Sequence, residues 1–351
     1  MKKFNLHVLQ AMSGDSLLLS YLGNDNKEHN ILIDGGKPNT FQKSIKNIVK
    51  NIVKNIDILD YIFVTHIDND HIGGINKLLG SSYQNKIKNI FFNSGQFSSK
   101  NSSTMISESD GNTLIDFINK SDSLKSNKKE ITIDTKFDIF GLKISFLSPT
   151  YEGLYHFCNS YKLDKIKDEA LISDTEEEDE PTEILSELAR IKFAETSLKL
   201  DPSNGASLAM LIEYKEKSIL LLGDAKDSVL IPSLRQKYSE KNRLVVDYIK
   251  LSHHGSKFHT TNEFLSLVKC NNFIISTDGK NNKNKHPNIE TLARVLCHDY
   301  RDKSEKIYFY FNYPKKEYIK NGRRLLTKKE EIDYNCECIY GCTLLQLGKV
   351  I

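Results

Sequence analysis

The most constraining feature of this chain is a cluster of histidine and aspartate side chains that directly follows a predicted strand. Residues 60–65 (DYIFVT) form an apolar run that is typical of a buried strand. Alternate residues of an extended chain project to the same side, so His66 and Asp68 are expected to face the same way. Asp70 and His71 follow at the predicted start of a helix. Four such side chains within six positions predict a metal-binding site.

Two later segments carry the same kinds of side chain at the ends of predicted strands. An apolar strand at 217–222 leads to Gly223-Asp224, and a strand at 245–250 leads to Ser252-His253-His254-Gly255. Taken alone, a Gly-Asp pair is typical of an ordinary turn, and paired histidines occur in many loops. In this order, and each after an apolar strand, the three segments together predict one site.

Strand and helix patterns alternate along the whole chain. Short strands begin at 4–10, and an amphipathic helix is predicted at 39–56 from the spacing of its isoleucines and valines. A strand at 130–134 and a helix at 181–197 follow, and strand-like sequence returns at 338–347. Interleaved helices and strands without a glycine-rich nucleotide loop predict two sheets covered by helices on their outer faces.

Charge is distributed unevenly between one segment and the rest. The chain has 49 basic and 46 acidic residues, yet residues 164–187 carry eleven acidic side chains and two lysines. We interpret 1–351 as a single domain with a polar, acidic insertion at about 150–203 and a C-terminal extension at about 312–351. The remaining basic body is compatible with a polyanionic substrate, although solvated lysines are the more ordinary explanation. The acidic insert is a candidate contact surface for a protein partner, and the oligomeric state is left open.

The sequence also bears on the compartment. It contains no apolar run near the roughly 20 residues that span a bilayer, and its start lacks the apolar region of an export signal. Six scattered cysteines favour free thiols in a reducing environment. We therefore expect a cytoplasmic protein with no membrane contact.

The three motifs together resemble a known family. THIDNDHIGG, LLLGD and LSHHGS are similar to the metal-binding motifs of the metallo-β-lactamase-fold hydrolases. The aspartate at position 68 resembles most closely the branch represented by the hydrolase domain of bacterial DNA-uptake competence proteins, the ComEC type. The resemblance implies an α/β (α+β) fold, a four-layer αββα sandwich of two mixed sheets, with the ligands on loops along one edge. Other segments that fit are Ser13-Gly14-Asp15-Ser16, Leu32-Ile33-Asp34-Gly35-Gly36, Leu147-Ser148-Pro149, Asn204 with Ser207, and His286-Pro287.

The resemblance implies a ligand set for two divalent ions. Zinc is expected first, and manganese or iron is the alternative because the site is rich in carboxylates. Many family members supply a histidine after the strand that ends here at Leu147-Ser148-Pro149, and this chain has none there. Which of His253 and His254 faces the metal is left open. The implied ligands are His66 and Asp68 for one ion, Asp70 and His71 for the other, Asp224 as the bridge, His253 as an additional ligand, and His286 completing the second site.

Further roles follow from the same resemblance. A hydroxide shared by the two ions would be the nucleophile. Asp70 and His254 are the expected catalytic residues, with His254 either donating a proton to the leaving group or binding a phosphate oxygen. Asp34, and with less support Asp15, is expected to orient a ligand histidine through its other ring nitrogen. Ser256 and Lys257 are candidates for binding an anionic group of the substrate.

These features favour a phosphodiesterase or nuclease that acts on nucleic acid or nucleotides. A hydrolase of small carbonyl esters, lactones or thioesters on the same metals is the alternative. A non-catalytic, metal-stabilised interaction module is the second alternative.

Overall fold

The computed structural model describes residues 2–54, 59–94, 109–121, 123–127, 129–160, 184–280 and 286–350. Within these residues two large sheets face each other, and helices cover the outer face of each. Every helix among them is too short or too polar to traverse a lipid bilayer. All six cysteines lie in the described part of the chain, and each is a free thiol.

The first sheet, as described, has seven strands in the order β17-β1-β2-β3-β4-β5-β6. Its N-terminal half is antiparallel, and β3, β4 and β5 run parallel to one another. The strands are β1 (Lys2–Val8), β2 (Leu17–Leu22), β3 (Glu28–Ile33), β4 (Leu59–Phe63), β5 (Ile87–Phe91), β6 (Lys125–Ser126) and β17 (Leu344–Val350).

The second sheet, over the same described ranges, has eight strands in the order β16-β15-β14-β12-β10-β9-β8-β7. The five strands β10, β12, β14, β15 and β16 are parallel. The strands are β7 (Lys136–Ile139), β8 (Leu142–Ser148), β9 (Ala209–Tyr214), β10 (Lys217–Leu221), β12 (Tyr248–Lys250), β14 (Asn272–Ile275), β15 (Ile307–Phe311) and β16 (Cys336–Tyr340), and a separate pair is formed by β11 (Leu244–Val245) and β13 (Val268–Lys269).

The helices fill the connections between strands and pack on the outer faces. A five-residue π-helical turn, Phe41–Ile45, lies between the first two helices, and a short 3₁₀ turn, Gln84–Lys86, precedes β5. The helices are α1 (Pro38–Thr40), α2 (Lys46–Lys54), α3 (Asn69–Leu79), α4 (Ser109–Asn119), α5 (Tyr151–Ser160), α6 (Leu185–Leu188), α7 (Pro202–Gly205), α8 (Asp227–Arg235), α9 (Asn262–Leu267), α10 (Ile289–Cys297), α11 (Lys315–Lys320) and α12 (Lys328–Asp333).

Alternation of side chains along the strands divides the apolar core into three clusters, one between the sheets and one under the helices on each outer face. In β2, Leu17 and Leu19 pack between the two sheets, whereas Leu18 packs under the outer helices. The same division holds in β10, where Ile219 and Leu221 face the other sheet and Leu220 faces the helices. Because these strands are buried on both faces, their sequences are mostly apolar. The layers are therefore helix, sheet, sheet and helix.

Several sequence predictions of individual elements differ from the structure. The helix predicted at 39–56 is interrupted by the π-helical turn, and its last described residue is Lys54; residues 55 and 56 lie outside the described part of the chain. Residues 130–134 form a turn instead of a strand, since the backbone N–H of Ile131 donates to the side chain of Asn93 at 2.9 Å. The strand-like C-terminal sequence forms two strands, β16 and β17, which add an edge strand to each sheet.

The helix predicted at 181–197 is one turn long in the described residues, from Leu185 to Leu188. Leu185 and Leu188 pack in the core, but residues 191–197 have no regular secondary structure. The carboxylate of Glu195 instead accepts the backbone N–H groups of Asp227 and Ser228, at 2.8 and 3.1 Å, at the start of α8. This cap satisfies donors that the first turn of a helix leaves free. Most of the acidic run, 164–183, lies outside the described residues.

Candidate metal centre

The candidate site lies where parallel strands of both sheets end. Asp34 follows β3 and His66 follows β4 in the first sheet, while Asp224 follows β10 and His253 follows β12 in the second. Parallel strands present their carboxyl ends at one edge of a sheet, so side chains that follow them converge there. Helix α3 begins at Asn69 and carries Asp70 and His71 in its first turn.

The carboxylate of Asp224 lies at the centre of the cluster. Its Oδ2 atom is surrounded by the Nε2 atoms of four imidazoles, two from the segment after β4 and two from the turn after β12. The distances from Asp224 Oδ2 are 3.3 Å to His71, 3.7 Å to His253, 3.7 Å to His254 and 3.9 Å to His66.

The other ring nitrogen of His71 is held by Asp34. Asp34 Oδ2 lies 2.8 Å from His71 Nδ1, and the same carboxylate accepts the backbone N–H and the hydroxyl of Thr65 at 2.8 and 2.7 Å. A carboxylate only accepts, so the proton of a neutral His71 lies on Nδ1. In that neutral state the Nε2 atom of His71 presents a lone pair to the cluster.

The rings of His66 and His254 are held in the same way. The hydroxyl of Thr65 donates to Asp34, which leaves its oxygen to accept from His66 Nδ1 at 3.0 Å. His254 Nδ1 lies 3.0 Å from the backbone carbonyl of Ser276, at the end of β14, and a carbonyl also only accepts. Both rings therefore turn the Nε2 lone pair toward Asp224.

These three Nε2 atoms are buried and have no hydrogen-bond partner among the described residues. An orphaned buried nitrogen is costly unless something else binds it. Imidazole nitrogens and carboxylate oxygens are the donors that zinc and related divalent ions prefer. The residues present therefore fit a divalent metal. The groups whose ligand atoms lie within 4.8 Å of one another are His66-His71-Asp224, Asp70-His71-His254, Asp15-Asp224-His254 and Asp15-Asp34-His71.

Electrostatics in the cluster favour ionised carboxylates. Burial alone would raise the pKa of Asp224, but the imidazoles of His71, His254 and His253 hold that pKa well below its usual range. Partial desolvation by the surrounding protein likewise acts against ionisation of Asp68, yet His66 and a hydrogen bond from Ser203 lower its pKa to about 2. Burial opposes a charge on His66 and His71, yet the neighbouring carboxylates raise the pKa of both rings, so a divalent ion would displace protons from them.

The two remaining aspartates of the first motif lie at the rim of the cluster. Asp68 Oδ2 is 3.5 Å from His66 Nε2, and its Oδ1 accepts the hydroxyl of Ser203 at 2.5 Å. Asp70 Oδ2 is 3.9 Å from His254 Nε2. The side chains of Asp68 and Asp70 are 40% and 28% exposed, so both carboxylates are open to solvent.

The neighbouring histidines form a second layer beside Asp224. The ring of His253 is 23% exposed and lies 5.0 Å, centroid to centroid, from each of His259 and His286. His286 Nδ1 is 3.0 Å from the side-chain oxygen of Asn288, and its Nε2 is without a hydrogen-bond partner in the described residues. Both His253 and His254 adopt left-handed backbone, with φ of 46° and 56°. Such strain in non-glycine residues is common at functional sites.

The two predicted substrate-binding residues lie in the turn after the histidines. The hydroxyl of Ser256 accepts the backbone N–H of Phe258 at 3.3 Å, and the side chain is buried. The ammonium group of Lys257 lies over the rings of Phe193 and Phe258, at 4.9 and 5.5 Å from their centroids. The contacts described for these two side chains are therefore with Phe193 and Phe258, and not with the Asp224 cluster.

Sequence reasoning missed three buried side chains at the site: Lys250, Lys226 and His259. Lys250 ends β12 and forms an ion pair with Asp15, while Lys226 forms one with Asp201 at 2.7 Å. His259 is buried beside His253, and neither of its ring nitrogens has a partner in the described residues. A lysine within the apolar strand DYIKL was the available signal for Lys250, because buried lysines are rare unless they are paired.

Comparison with known proteins agrees with this architecture. Residues 14–88, which include Asp34 and the first motif, match the family model of the metallo-beta-lactamase superfamily. Together with the two-sheet, four-layer arrangement, this match confirms the predicted resemblance and the predicted fold: the chain has the metallo-β-lactamase fold. The match covers about a fifth of the chain, and over that segment the chain is similar to the metallo-beta-lactamase superfamily.

Individual relatives are more distant. ComE operon protein 3 of Bacillus subtilis is 31% identical over 103 residues, which are 29% of this chain and 13% of that protein, so the chain matches only a small part of it. YhfI from Bacillus subtilis, a metallo-beta-lactamase fold protein, aligns over 98% of this chain and 99% of its own, at 9% identity and a TM-score of 0.41. Zinc-bound PqqB from Methylobacterium extorquens aligns over 95% and 87%, at 10% identity and a TM-score of 0.43.

Proposed function

We propose that this protein is a metal-dependent phosphodiesterase or nuclease with a dinuclear centre. The observation that carries the proposal is the convergence of three buried Nε2 atoms, those of His66, His71 and His254, on the carboxylate of Asp224. In each ring the Nδ1 atom is already bound to an acceptor, so the Nε2 atom is free for a metal. Divalent ions there would polarise the scissile group and acidify a water molecule.

The ligand set follows from the hydrogen bonds. We assign His66, His71, His254 and Asp224 as the inner donors, with Asp68 and Asp70 as carboxylate donors on the open side. The Nδ1 proton of His254 is bound to the carbonyl of Ser276, so His254 could act as an acid only with a second proton on Nε2. We therefore assign His254 as a metal ligand and not as the proton donor. His253 is the partly exposed imidazole beside Asp224, and we propose that it contacts the leaving group or a phosphate oxygen.

Two observations favour a phosphodiester substrate. The partial match to ComE operon protein 3 agrees with the motif resemblance to the ComEC-type branch. The charge of the chain outside the acidic run is basic, which suits a polyanion. The metal identity follows less directly: zinc is the first candidate, and manganese is the second because three of the proposed donors are carboxylates.

The test is to measure metal content and hydrolysis on the same preparation. Bound metals are quantified, and cleavage is assayed on bis(p-nitrophenyl) phosphate, single-stranded DNA, duplex DNA, RNA and cyclic dinucleotides. We expect metal-dependent cleavage of a phosphodiester, and a loss of at least about 100-fold in kcat for Asp224→Asn. Asp299→Asn, which changes an exposed carboxylate, is the matched control.

Two results would contradict the proposal. Metal-loaded protein that opens lactones or thioesters but cleaves no phosphodiester would make it a hydrolase of carbonyl compounds. Nucleic-acid binding that is unaffected by Asp224→Asn, with no hydrolysis by either protein, would make it an interaction module.

A further inference from the structure

Lys250 is the last residue of β12, and its side chain is fully buried. Ile249 before it packs toward the outer helices, so Lys250 points into the space between the two sheets. Three oxygens surround its ammonium group. They are the carboxylate of Asp15, in an ion pair, the carbonyl of Gly223 at 3.1 Å, and Oδ1 of Asp224 at 3.9 Å.

Asp15 connects this lysine to the rest of the cluster. Its Oδ1 atom lies 3.3 Å from His254 Nδ1, while its Oδ2 atom faces Lys250. Its backbone N–H donates to the carbonyl of Asp70 at 3.2 Å. The chain at Gly14 approaches so closely that a Cβ there would overlap the same carbonyl oxygen. The pair of Lys250 and Asp15 therefore joins the second sheet to the first directly at the site.

We propose that Lys250 is a positioning residue of the metal centre, whose buried ammonium group acts as a fixed cation that holds Asp224 and, through Asp15, orients His254. The inference rests on the proposed function only in that the centre binds divalent ions. By attracting Oδ1 of Asp224, Lys250 leaves Oδ2 directed at the four imidazoles. By fixing the carboxylate of Asp15, it keeps an acceptor beside the Nδ1–H of His254.

The charge of Lys250 also suits a site with this many acids. Five carboxylates lie in or against the cluster, and a buried carboxylate is stable only when it is paired or hydrogen-bonded. Two divalent ions would balance four negative charges, and the ammonium group supplies the fifth positive charge without exchanging with solvent. The carboxylates are those of Asp15, Asp34, Asp68, Asp70 and Asp224.

The experiment compares Co²⁺ binding by the wild-type protein with that of Lys250→Gln, Lys250→Arg and Asp15→Asn, using titration and the visible absorption of the bound ion. We expect Co²⁺ affinity to fall about 10- to 100-fold in Lys250→Gln and Asp15→Asn, with an altered spectrum, as for other groups that hold metal ligands. Lys250→Arg, which keeps the charge, should recover part of the affinity. Lys217→Gln is the matched control, because Lys217 pairs with Asp247 at the opposite end of β10.

Each outcome decides the inference. If Lys250→Gln binds Co²⁺ as tightly as wild type, or more tightly, with an unchanged spectrum, Lys250 is only a competing charge and the inference is wrong. If Lys250→Gln does not fold, Asp15→Asn gives the same decision from the other side of the pair. Wild-type protein that binds no Co²⁺ would overturn the inference together with the metal-dependent function. Normal Co²⁺ binding without phosphodiester cleavage would contradict the function alone.

Discussion

Replacing Asp34 by asparagine tests the idea that hydrogen bonds set the metal donors in advance. The carboxylate of Asp34 accepts from the backbone N–H of Thr65, from its hydroxyl, and from His71 Nδ1. An asparagine amide oxygen can keep the bond to the Thr65 backbone, which turns its NH₂ group toward His71. Two donors would then face each other, so His71 would accept at Nδ1 and carry its proton on Nε2.

That change of tautomer has a calculable effect. Nε2–H of His71 would donate to Asp224 Oδ2, now 3.3 Å away, instead of presenting a lone pair. Metal binding would require the original tautomer and the loss of a charge-assisted hydrogen bond, which costs about 1.5–3 kcal/mol. We therefore expect metal affinity to fall roughly 10- to 100-fold. Without metal, the new hydrogen bonds offset most of the loss, and the free energy of unfolding should fall by about 1–2 kcal/mol.

The assay is a metal titration combined with chemical denaturation of the metal-free protein. Asp60→Asn is a close control: Asp60 is a buried aspartate near the other end of β4 that contacts His29 and the backbone N–H of Asn30. The Asp60→Asn protein should lose stability without losing metal affinity. An Asp34→Asn protein that binds metal like wild type would refute the reasoning, whatever its stability.

Two further predictions concern packing and pH. In Gly14→Ala the new Cβ would push against the carbonyl of Asp70. We expect the free energy of unfolding to fall by about 1–3 kcal/mol in a denaturation experiment, and metal binding to weaken in a titration. Unchanged values of both would contradict the close contact. Burial, followed by the charges of Arg243 and Arg301, lowers the pKa of His298 to about 4. The unfolded chain, with an ordinary pKa near 6.5, then binds more protons, so stability contributed by neutral His298 is complete above about pH 6.5 and is lost as the pH falls toward 4. His298→Gln should reduce the acid sensitivity of unfolding between these values by up to about 3 kcal/mol, and equal slopes in both proteins would contradict this.

The sequence predicted the fold because the pattern of buried strands is local. Apolar runs such as 61–64 and 219–222 identify strands buried on both faces, and the acids and histidines that follow them mark one edge of the sheets. The error at 181–197 has a different origin. The apolar spacing of that segment fits a helix, but Glu195 is bound to the start of α8, and no sequence pattern reveals that tertiary contact.

The site was predicted by residue type, so partners of ordinary type were missed. Histidines and aspartates near glycines attract attention, whereas the hydroxyl of Thr65 and the carbonyl of Ser276 carry no such signal. Yet these two groups direct the lone pairs of His66 and His254. The backbone carbonyl in particular is invisible in a sequence, because every residue has one.

The arrangement also links metal binding to the packing of the two sheets. His66 and His71 lie in the segment that follows β4 of the first sheet, Asp224 and His254 follow β10 and β12 of the second, and Asp224 Oδ2 lies within 4 Å of an imidazole nitrogen from each side. A change in the distance between the sheets would therefore separate the donors of any ion that bridges them. Conversely, an ion bound by donors from both sheets stabilises their contact, because it binds the folded chain in preference to the unfolded one. The proposed metal centre and the sandwich would thus depend on each other for the same geometry.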